Sequence, residues 1–182
     1  MPRYAETDPK TLDAAQRAVY DAIVAGPRGQ VQGPFHMLLR SPELCRRTQA
    51  LGEYLRFGSS LPPRLSEFAI LVTARFWRAQ FEWHIHARFA AEGGLDADVI
   101  ETLRTGGDPS PLLKPDEKAV YDFAKATHER HAVDDTTFAR ATAELGEAGV
   151  IDLVALIGYY TLISMVLNVY EVPVPGGETP LK

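Results

Sequence analysis

A largely apolar, helix-like stretch between residues 62 and 94 carries two acids and two imidazoles among its apolar residues. They are Glu67, Glu82, His84 and His86. Burying acids and imidazoles among apolar residues is costly unless these groups are paired. Groups in such surroundings tend to have shifted pKa values, which is typical of functional sites. The stretch is therefore predicted to be a buried part of the fold that carries a site.

The spacing of these residues predicts a bend in the chain. Glu82 and His86 are four residues apart, so on one helix they face the same way and can touch. Glu67 lies fifteen residues before Glu82, which on an unbroken helix would separate the two by roughly 22 Å. The acids meet only if the chain turns, and the least helical segment between them is residues 76–80. The predicted structure is a hairpin of two helices, from Arg64 to about Trp77 and from about Ala79 to Glu92.

Composition restricts the class of protein. With 182 residues, 46% of them hydrophobic, the chain is long enough to bury one core. Its net charge of −5, without a basic run, argues against a nucleic-acid partner and against an anionic membrane surface. A single cysteine, Cys45, excludes an internal disulfide, and the polar start of the sequence does not resemble a signal peptide. These features predict a cytoplasmic protein.

Glycine and proline separate helix-like patterns along the whole chain, and no strand-like alternation of polar and apolar residues persists. The sequence therefore predicts an all-α fold. The first helix is expected to begin after the Asp8–Pro9 pair, and Asp134 is expected to cap a later helix. His128 and His131 are expected to face solvent. The Pro-rich segment 108–115 is interpreted as a connection inside one domain.

The last predicted helix, from Val150 to about Tyr170, has the length of a membrane span. No charged residue occurs between residues 153 and 170. Several small or polar residues nevertheless lie along it, among them Thr161 and Asn168, and no Lys or Arg anchors flank it. A helix that is apolar on all sides is otherwise buried in a domain or between subunits. We expect a buried helix and an oligomer interface, with no membrane span.

The hairpin residues resemble a known family. The spacing of Glu67 from residues 79, 82 and 86, and the run Phe-Glu-Trp-His-Ile-His at 81–86, resemble the carboxymuconolactone decarboxylase family, which is similar to the alkylhydroperoxidase D-like (AhpD-like) proteins. A Cys-x-x-Cys pair marks the peroxidase branch, and Ala79 and Glu82 occupy those positions here. The aromatic-Glu-Trp run is typical of the decarboxylase branch. Flanking segments that agree with the family are 33–35, 41–44, 51–54, 62–64 and 168–173.

The resemblance covers roughly residues 30–175. It implies an all-α, single-domain multi-helix bundle of the AhpD-like type, with the helical hairpin at the active site. It also implies a homo-oligomer, either a trimer or a hexamer, and no cofactor. The chain is accordingly divided into an N-terminal helical extension (1–30), a carboxymuconolactone decarboxylase-like domain (31–175) and a C-terminal tail (176–182).

The resemblance also implies roles for individual residues. The catalytic residues would be Glu67, Glu82 and His86, with His86 as the general acid–base group, oriented by Glu82, and Glu67 completing a proton relay. By family position, His36 and Tyr54 would bind substrate. His84 departs from the residue usual in the family, and it would either line the pocket as a substrate-binding residue or pair with Arg88 or solvent. An anionic substrate also needs a cation, and the sequence offers Arg75 or Arg46 without choosing between them. Without the resemblance, Glu67 and Glu82 are interpreted as acids near helix starts, where the helix dipole favours them, and His86 as a hydrogen-bonded core histidine.

Other chemistry has less support in the sequence. The histidines near Glu82 do not have the His-x3-His spacing that binds a metal on one helix, so no metal site is predicted. Cys45 lies beside Arg46 and Arg47, which would lower its pKa, but its helical position favours a packed, unreactive thiol. Without a second thiol, a disulfide-cycling peroxidase is not supported.

Two carboxylates and an imidazole are able to move protons without a cofactor. The leading hypothesis is a cofactor-free acid–base lyase that acts on a small anionic substrate, namely a carboxylated lactone or a related aromatic ring-cleavage product. Two alternatives stay open. One is a hydroperoxidase of the peroxiredoxin type, and the other is a non-catalytic oligomer that binds a ligand in the same pocket.

Overall fold

In a computed structural model, residues 3–182 of the chain form eight α-helices and three short 3-10 helices, without a β-strand. The first two residues of the predicted N-terminal extension, Met1 and Pro2, lie outside the described residues. The all-α prediction is confirmed. The α-helices are α1 (Ala14–Ala25), α2 (Pro34–Leu38), α3 (Pro42–Phe57), α4 (Pro63–Trp77), α5 (Gln80–Glu92), α6 (Ala97–Arg104), α7 (Pro115–Arg130) and α8 (Asp135–Val169), and the 3-10 helices are Pro9–Thr11, Ser110–Leu112 and Pro175–Gly177.

The bend predicted between residues 76 and 80 lies between α4 and α5. Arg78 has φ 51° and ψ 36°, which is the left-handed conformation and ends α4. A non-glycine residue in this region costs roughly 1–2 kcal/mol. The cost is offset in part by a hydrogen bond that the Ala79 N–H donates to the Ala74 carbonyl at 2.9 Å. The chain therefore reverses without glycine or proline, and α5 returns along α4.

Helix α4 is the centre of the fold and packs against α5, α7 and α8. All ten residues from 65 to 74 are buried. Phe68 and Leu71 of α4 are 0% exposed, as is Leu153 of α8. Burial of each such side chain contributes about 1.5–3 kcal/mol. The central position of α4 places Glu67 inside the molecule.

An ion-pair network fixes the first turn of α4 to the first turn of α7. The guanidinium of Arg64 contacts Asp116, with Nη2 2.5 Å from Oδ2, and also contacts Glu117. Glu117 is 1% exposed. A buried carboxylate is tolerated only with such a partner, so the network holds the two helix starts together.

Helix α8 is longer than predicted, because it joins the two helices expected on either side of residue 149. Asp134 caps it, as predicted, by accepting a hydrogen bond from the Thr137 N–H at 2.9 Å. Gly146, with φ 71°, interrupts its helical backbone. The helix has the length and composition of a membrane span, and 56% of its most apolar part is buried inside the fold.

One side of α8 is apolar and exposed. Ile151, Val154, Met165 and Val169 lie there and are between 42% and 69% exposed. A stripe of this kind is compatible with the oligomer interface that the sequence predicts. The oligomer, the division of the chain into a domain and two extensions, and the absence of a membrane span stay predictions.

Two local predictions are wrong. The first helix begins at Ala14, because the capping box forms between Asp13 and Gln16, whereas Asp8 caps only the 3-10 helix that precedes it. His128 does not face solvent: it is 7% exposed, its Nε2 lies 3.1 Å from the Thr73 hydroxyl, and its ring stacks on Phe76.

Candidate active site

The hairpin brings the two predicted acids to opposite sides of one imidazole ring. Nδ1 of His86 lies 2.6 Å from Oε2 of Glu67, and Nε2 of His86 lies 3.0 Å from Oε2 of Glu82. The three residues are 4–8% exposed. The turn at Arg78 thus brings Glu67 and Glu82 to the same histidine, although they are far apart in the sequence.

Each member of this cluster is positioned by its helix. Glu67 lies near the start of α4, and Glu82 lies in the first turn of α5, where the helix dipole favours a negative charge. His86 follows Glu82 by one helical turn, so their side chains share a face. Tyr160 of α8 closes the other side, with its ring 5.0 Å from that of His86 in an edge arrangement.

The two carboxylates determine the charge of His86. Burial would lower the pKa of His86, but the charges and hydrogen bonds of Glu67 and Glu82 outweigh it and raise the pKa to about 9. At neutral pH the ring is therefore an imidazolium, and both ring N–H groups donate to carboxylates. The cluster holds one proton that it is able to release or regain.

A cavity of about 410 Å³ opens beside this cluster. Its wall includes Glu82, His86, Tyr159 and Tyr160, whereas Glu67 is not part of the wall. The volume lies within the range of small-molecule sites. The cavity is therefore open to the Glu67–His86–Glu82 cluster on the side of Glu82.

Three arginines, Arg28, Arg56 and Arg88, also line the cavity. Sequence reasoning missed them, together with Tyr159 and Tyr160. The arginines come from the loop after α1, from α3 and from α5, so no local pattern connects them. The glycine-rich loop around Arg28 was the one available signal, since such loops allow the backbone to approach a site closely.

Two predicted substrate-binding histidines lie elsewhere. The Nδ1 of His84 is 3.1 Å from the carboxylate of Glu178, in the C-terminal tail. Two residues along a helix turn a side chain by about 200°, which directs His84 away from the face of Glu82 and His86. The Nδ1 of His36 accepts a hydrogen bond from the Thr7 N–H at 3.1 Å. Neither lines the cavity.

The other predicted substrate-binding residues are also outside the cavity wall. Tyr54 is 51% exposed, and its hydroxyl donates to Asp152 at 3.1 Å. Arg75 lies in the last turn of α4 and donates from Nη1 to the carbonyl of Lys182 at 2.7 Å. The alternative cation, Arg46, forms an exposed pair with Glu43. The structure does not bring these residues to the His86 cavity.

The remaining predicted chemistry concerns a metal and the thiol. Across residues 3–182, the structure contains no cluster of three or more His, Cys, Asp or Glu side chains arranged to hold a metal ion. Cys45 is 0% exposed. Burial raises the pKa of the Cys45 thiol to about 12, against the smaller opposing effect of Arg28. The thiol is therefore packed and protonated.

Comparisons with known proteins identify the fold. The chain matches no family model and no curated protein. Among solved structures, it is similar to a protein of unknown function from Agrobacterium tumefaciens for which a role as the antioxidant defence protein AhpD has been suggested. The TM-score is 0.68 at 17% identity, covering 79% of this chain and 99% of the other.

Two structures of the debrominase Bmp8 are also similar to the chain. The apo enzyme has a TM-score of 0.69 at 12% identity and covers 90% of this chain and 88% of its own. A cysteine-to-alanine variant in complex with 2,3,4-tribromopyrrole has a TM-score of 0.70 at 12% identity, covering 90% and 87%. At such identities the likeness shows the fold alone, which is AhpD-like.

Proposed function

We propose that the protein is a cofactor-free acid–base enzyme, a lyase that decarboxylates a carboxylated lactone or a related product of aromatic ring cleavage. The observation that carries the proposal is the buried Glu67–His86–Glu82 cluster, of which Glu82 and His86 line the wall of a small-molecule cavity. Perturbed, coupled acid–base groups in a cavity are typical of proton-transfer sites.

The reaction needs a proton and a route for electrons, and no oxidant or reductant. The C–C bond to the departing carboxylate breaks, CO2 leaves, and the electron pair moves through the adjacent unsaturated bond onto the carbonyl oxygen. A proton then adds to carbon, so that hydrogen replaces CO2. The imidazolium of His86 stores that proton, and solvent restores it after each turnover.

Glu82 is the group that exchanges the proton with substrate. Both nitrogens of His86 already face carboxylates, so neither is free to reach a substrate atom directly. Glu82 lines the cavity and contacts Nε2, whereas Glu67 contacts Nδ1 from outside the cavity wall. A proton accordingly passes from His86 to the Glu82 carboxylate and then to substrate, while Glu67 stabilises the imidazolium.

The similar structures support a small ring as the substrate. A variant of the debrominase Bmp8 is named as a complex with a brominated pyrrole, which is a flat, unsaturated ring of the size that a cavity of about 410 Å³ accepts. Thiol chemistry, as in an antioxidant protein, has less support in this chain. Its only cysteine is buried, and Ala79 and Glu82 occupy the family's cysteine positions.

The test is turnover of a panel of carboxylated lactones, followed by CO2 release. Wild-type protein is compared with Glu82→Gln and His86→Ala, and with Glu144→Gln, an exposed acid on α8, as the matched control. Removing a general acid–base group is expected to reduce kcat by about 10²- to 10⁴-fold. Circular dichroism confirms that each variant is folded. Full turnover by folded Glu82→Gln and His86→Ala would refute the proposal, and binding of lactones without turnover would favour a ligand-binding oligomer.

A further inference from the structure

Two arginines on the cavity wall have no acidic partner. Within the described chain, residues 3–182, neither Arg28 nor Arg56 forms an ion pair. By contrast, Arg88 on the same wall pairs with Glu92, with Nε 3.4 Å from Oε1, and its side chain is 70% exposed. The cavity thus presents two partly buried cations that form no ion pair within residues 3–182.

Both guanidinium groups are held by aromatic rings. Arg28 lies over the ring of Phe35 at 4.7 Å, and Arg56 lies near the rings of Phe57 and Phe89 at 5.0 and 5.1 Å. Their Nε atoms are buried and have no hydrogen-bond partner among the described residues. Ring contacts of this kind position a guanidinium while leaving its N–H edge able to bind an anion.

A tyrosine hydroxyl lies next to one of the two cations, Arg28. The Nη2 of Arg28 lies 3.5 Å from the hydroxyl of Tyr159, which also lines the cavity. Burial raises the pKa of Tyr159 to about 12, so its hydroxyl stays protonated and is able to donate a hydrogen bond. The ring of Tyr159 packs against that of Tyr160, 5.2 Å away, which in turn contacts His86. Arg28 is therefore linked through the two tyrosines to His86, and Arg56 lines the same cavity.

Gly52 of α3 makes this arrangement possible. A Cβ at this position would lie 2.1 Å from the Tyr159 hydroxyl oxygen and 2.6 Å from Nη2 of Arg28. A side chain at position 52 would therefore force the Tyr159 hydroxyl and the Arg28 guanidinium to move. The absence of a side chain at Gly52 lets the hydroxyl and the guanidinium approach the helix backbone and meet.

We propose that Arg28, Arg56 and the hydroxyl of Tyr159 form a carboxylate-binding site on the cavity wall, which holds the substrate while Glu82 exchanges a proton with it. This inference rests on the proposed function for the identity of the substrate, but the anion site itself rests on the geometry. Guanidinium groups bind carboxylates through paired N–H donors, and the hydroxyl adds a third donor.

The carboxylate held there is one that the substrate keeps. A group that leaves as CO2 loses its negative charge in the transition state, so arginines on that group would stabilise the substrate more than the transition state and slow the reaction. Contact with a second, retained carboxylate is neutral in this respect and orients the ring. The substrate class is therefore a lactone or enone with two carboxylates.

Binding of 4-fluorobenzoate and of the neutral 4-fluorobenzamide to the full-length protein, followed by 19F NMR and calorimetry, tests the site. Wild-type protein is expected to prefer the benzoate. Arg28→Gln and Arg56→Gln are each expected to raise its Kd by about tenfold or more, since each removes a charged partner. Arg88→Gln, the matched control, is expected to change the Kd by less than about threefold, because Arg88 already has a partner.

Gly52→Ala is expected to weaken benzoate binding like the arginine variants, because it displaces Tyr159 and Arg28. Thermal unfolding and near-UV circular dichroism identify any variant that does not fold, and the two arginine variants suffice if Gly52→Ala is one of these. Equal binding of benzoate and benzamide by wild-type protein, or an unchanged Kd in both folded arginine variants, would overturn the proposal.

The outcomes separate this proposal from the proposed function. Glu82→Gln is expected to lose turnover and keep arginine-dependent benzoate binding. Arginine-dependent binding in a protein that decarboxylates no lactone would refute the lyase and leave the carboxylate site standing. Turnover that depends on Glu82, together with benzoate binding that ignores both arginines, would refute the site alone.

Discussion

Raising the pH from 6.5 to 9 is expected to destabilise the folded protein, mainly through His86. In the folded state, burial opposes protonation of His86, but Glu67 and Glu82 raise its pKa from 6.5 to about 9. Because the folded pKa lies above the unfolded one, this stabilisation is fully present below pH 6.5 and is lost as the pH rises through 9. The difference between the two pKa values corresponds to about 3 kcal/mol in the free energy of unfolding.

Other groups whose pKa values are shifted by burial titrate outside this window. Burial raises the pKa values of Cys45 and Tyr159 to about 12. Burial also lowers the pKa values of His36 and His128 below 6.5. The fall in stability between pH 6.5 and 9 is therefore assigned to the cluster of His86 and its two acids.

The decisive variant is the double substitution Glu67→Gln and Glu82→Gln. It removes both charges that raise the pKa of His86 and leaves burial, which lowers it. The sign of the dependence is then expected to reverse, so that the variant loses stability as the pH falls through 6.5 and below. Glu144→Gln, an exposed acid, is the control and is expected to behave like wild-type protein.

Urea unfolding at pH values from 5 to 10, followed by tryptophan fluorescence, measures these free energies. Two protein concentrations reveal any contribution from assembly. The expected result is a loss of about 3 kcal/mol in wild-type protein between pH 6.5 and 9 that is absent from the double variant. An identical pH dependence in the two proteins would refute the assignment of a raised pKa to His86.

Two further predictions concern single residues. Gly33→Ala is expected to reduce the free energy of unfolding by about 2–4 kcal/mol, because Gly33 has φ 56° and a Cβ there would lie 2.5 Å from the ring of Phe81. Urea unfolding measures this free energy. A loss below about 0.5 kcal/mol would contradict the strain argument. Cys45→Ala is expected to leave lactone turnover unchanged, because the thiol is buried and protonated. Peroxide consumption with a thiol reductant that disappears in Cys45→Ala would instead favour the hydroperoxidase.

The hairpin shows how far local sequence is informative. The contact between Glu82 and His86 follows from their spacing on one helix, and the need for a bend follows from the distance to Glu67. The bend lies in the predicted segment, although Arg78 adopts a left-handed conformation that its residue type does not signal. Helix periodicity and caps such as Asp134 likewise depend on neighbours within a few residues, so they could be read before the structure was known.

The cavity wall shows the opposite case. His36 and Tyr54 were assigned to the site by their position in a resembling family, yet their side chains bind Thr7 and Asp152. The burial of Cys45 could be predicted from its position on a helix. The burial of His128 could not, because its partner Thr73 is 55 residues away in the sequence.

The sequence alone determined the helices, the hairpin and the acid–imidazole pair, because each depends on backbone geometry within one or two turns. Only the tertiary structure decided which cations reach the pair. Arg28 and Tyr159 are 131 residues apart. They meet on the cavity wall only because the packing of α3 against α8, with no side chain at Gly52, leaves room for both. Such contacts depend on the volumes of all the packed side chains at once, and no short segment of sequence contains that information.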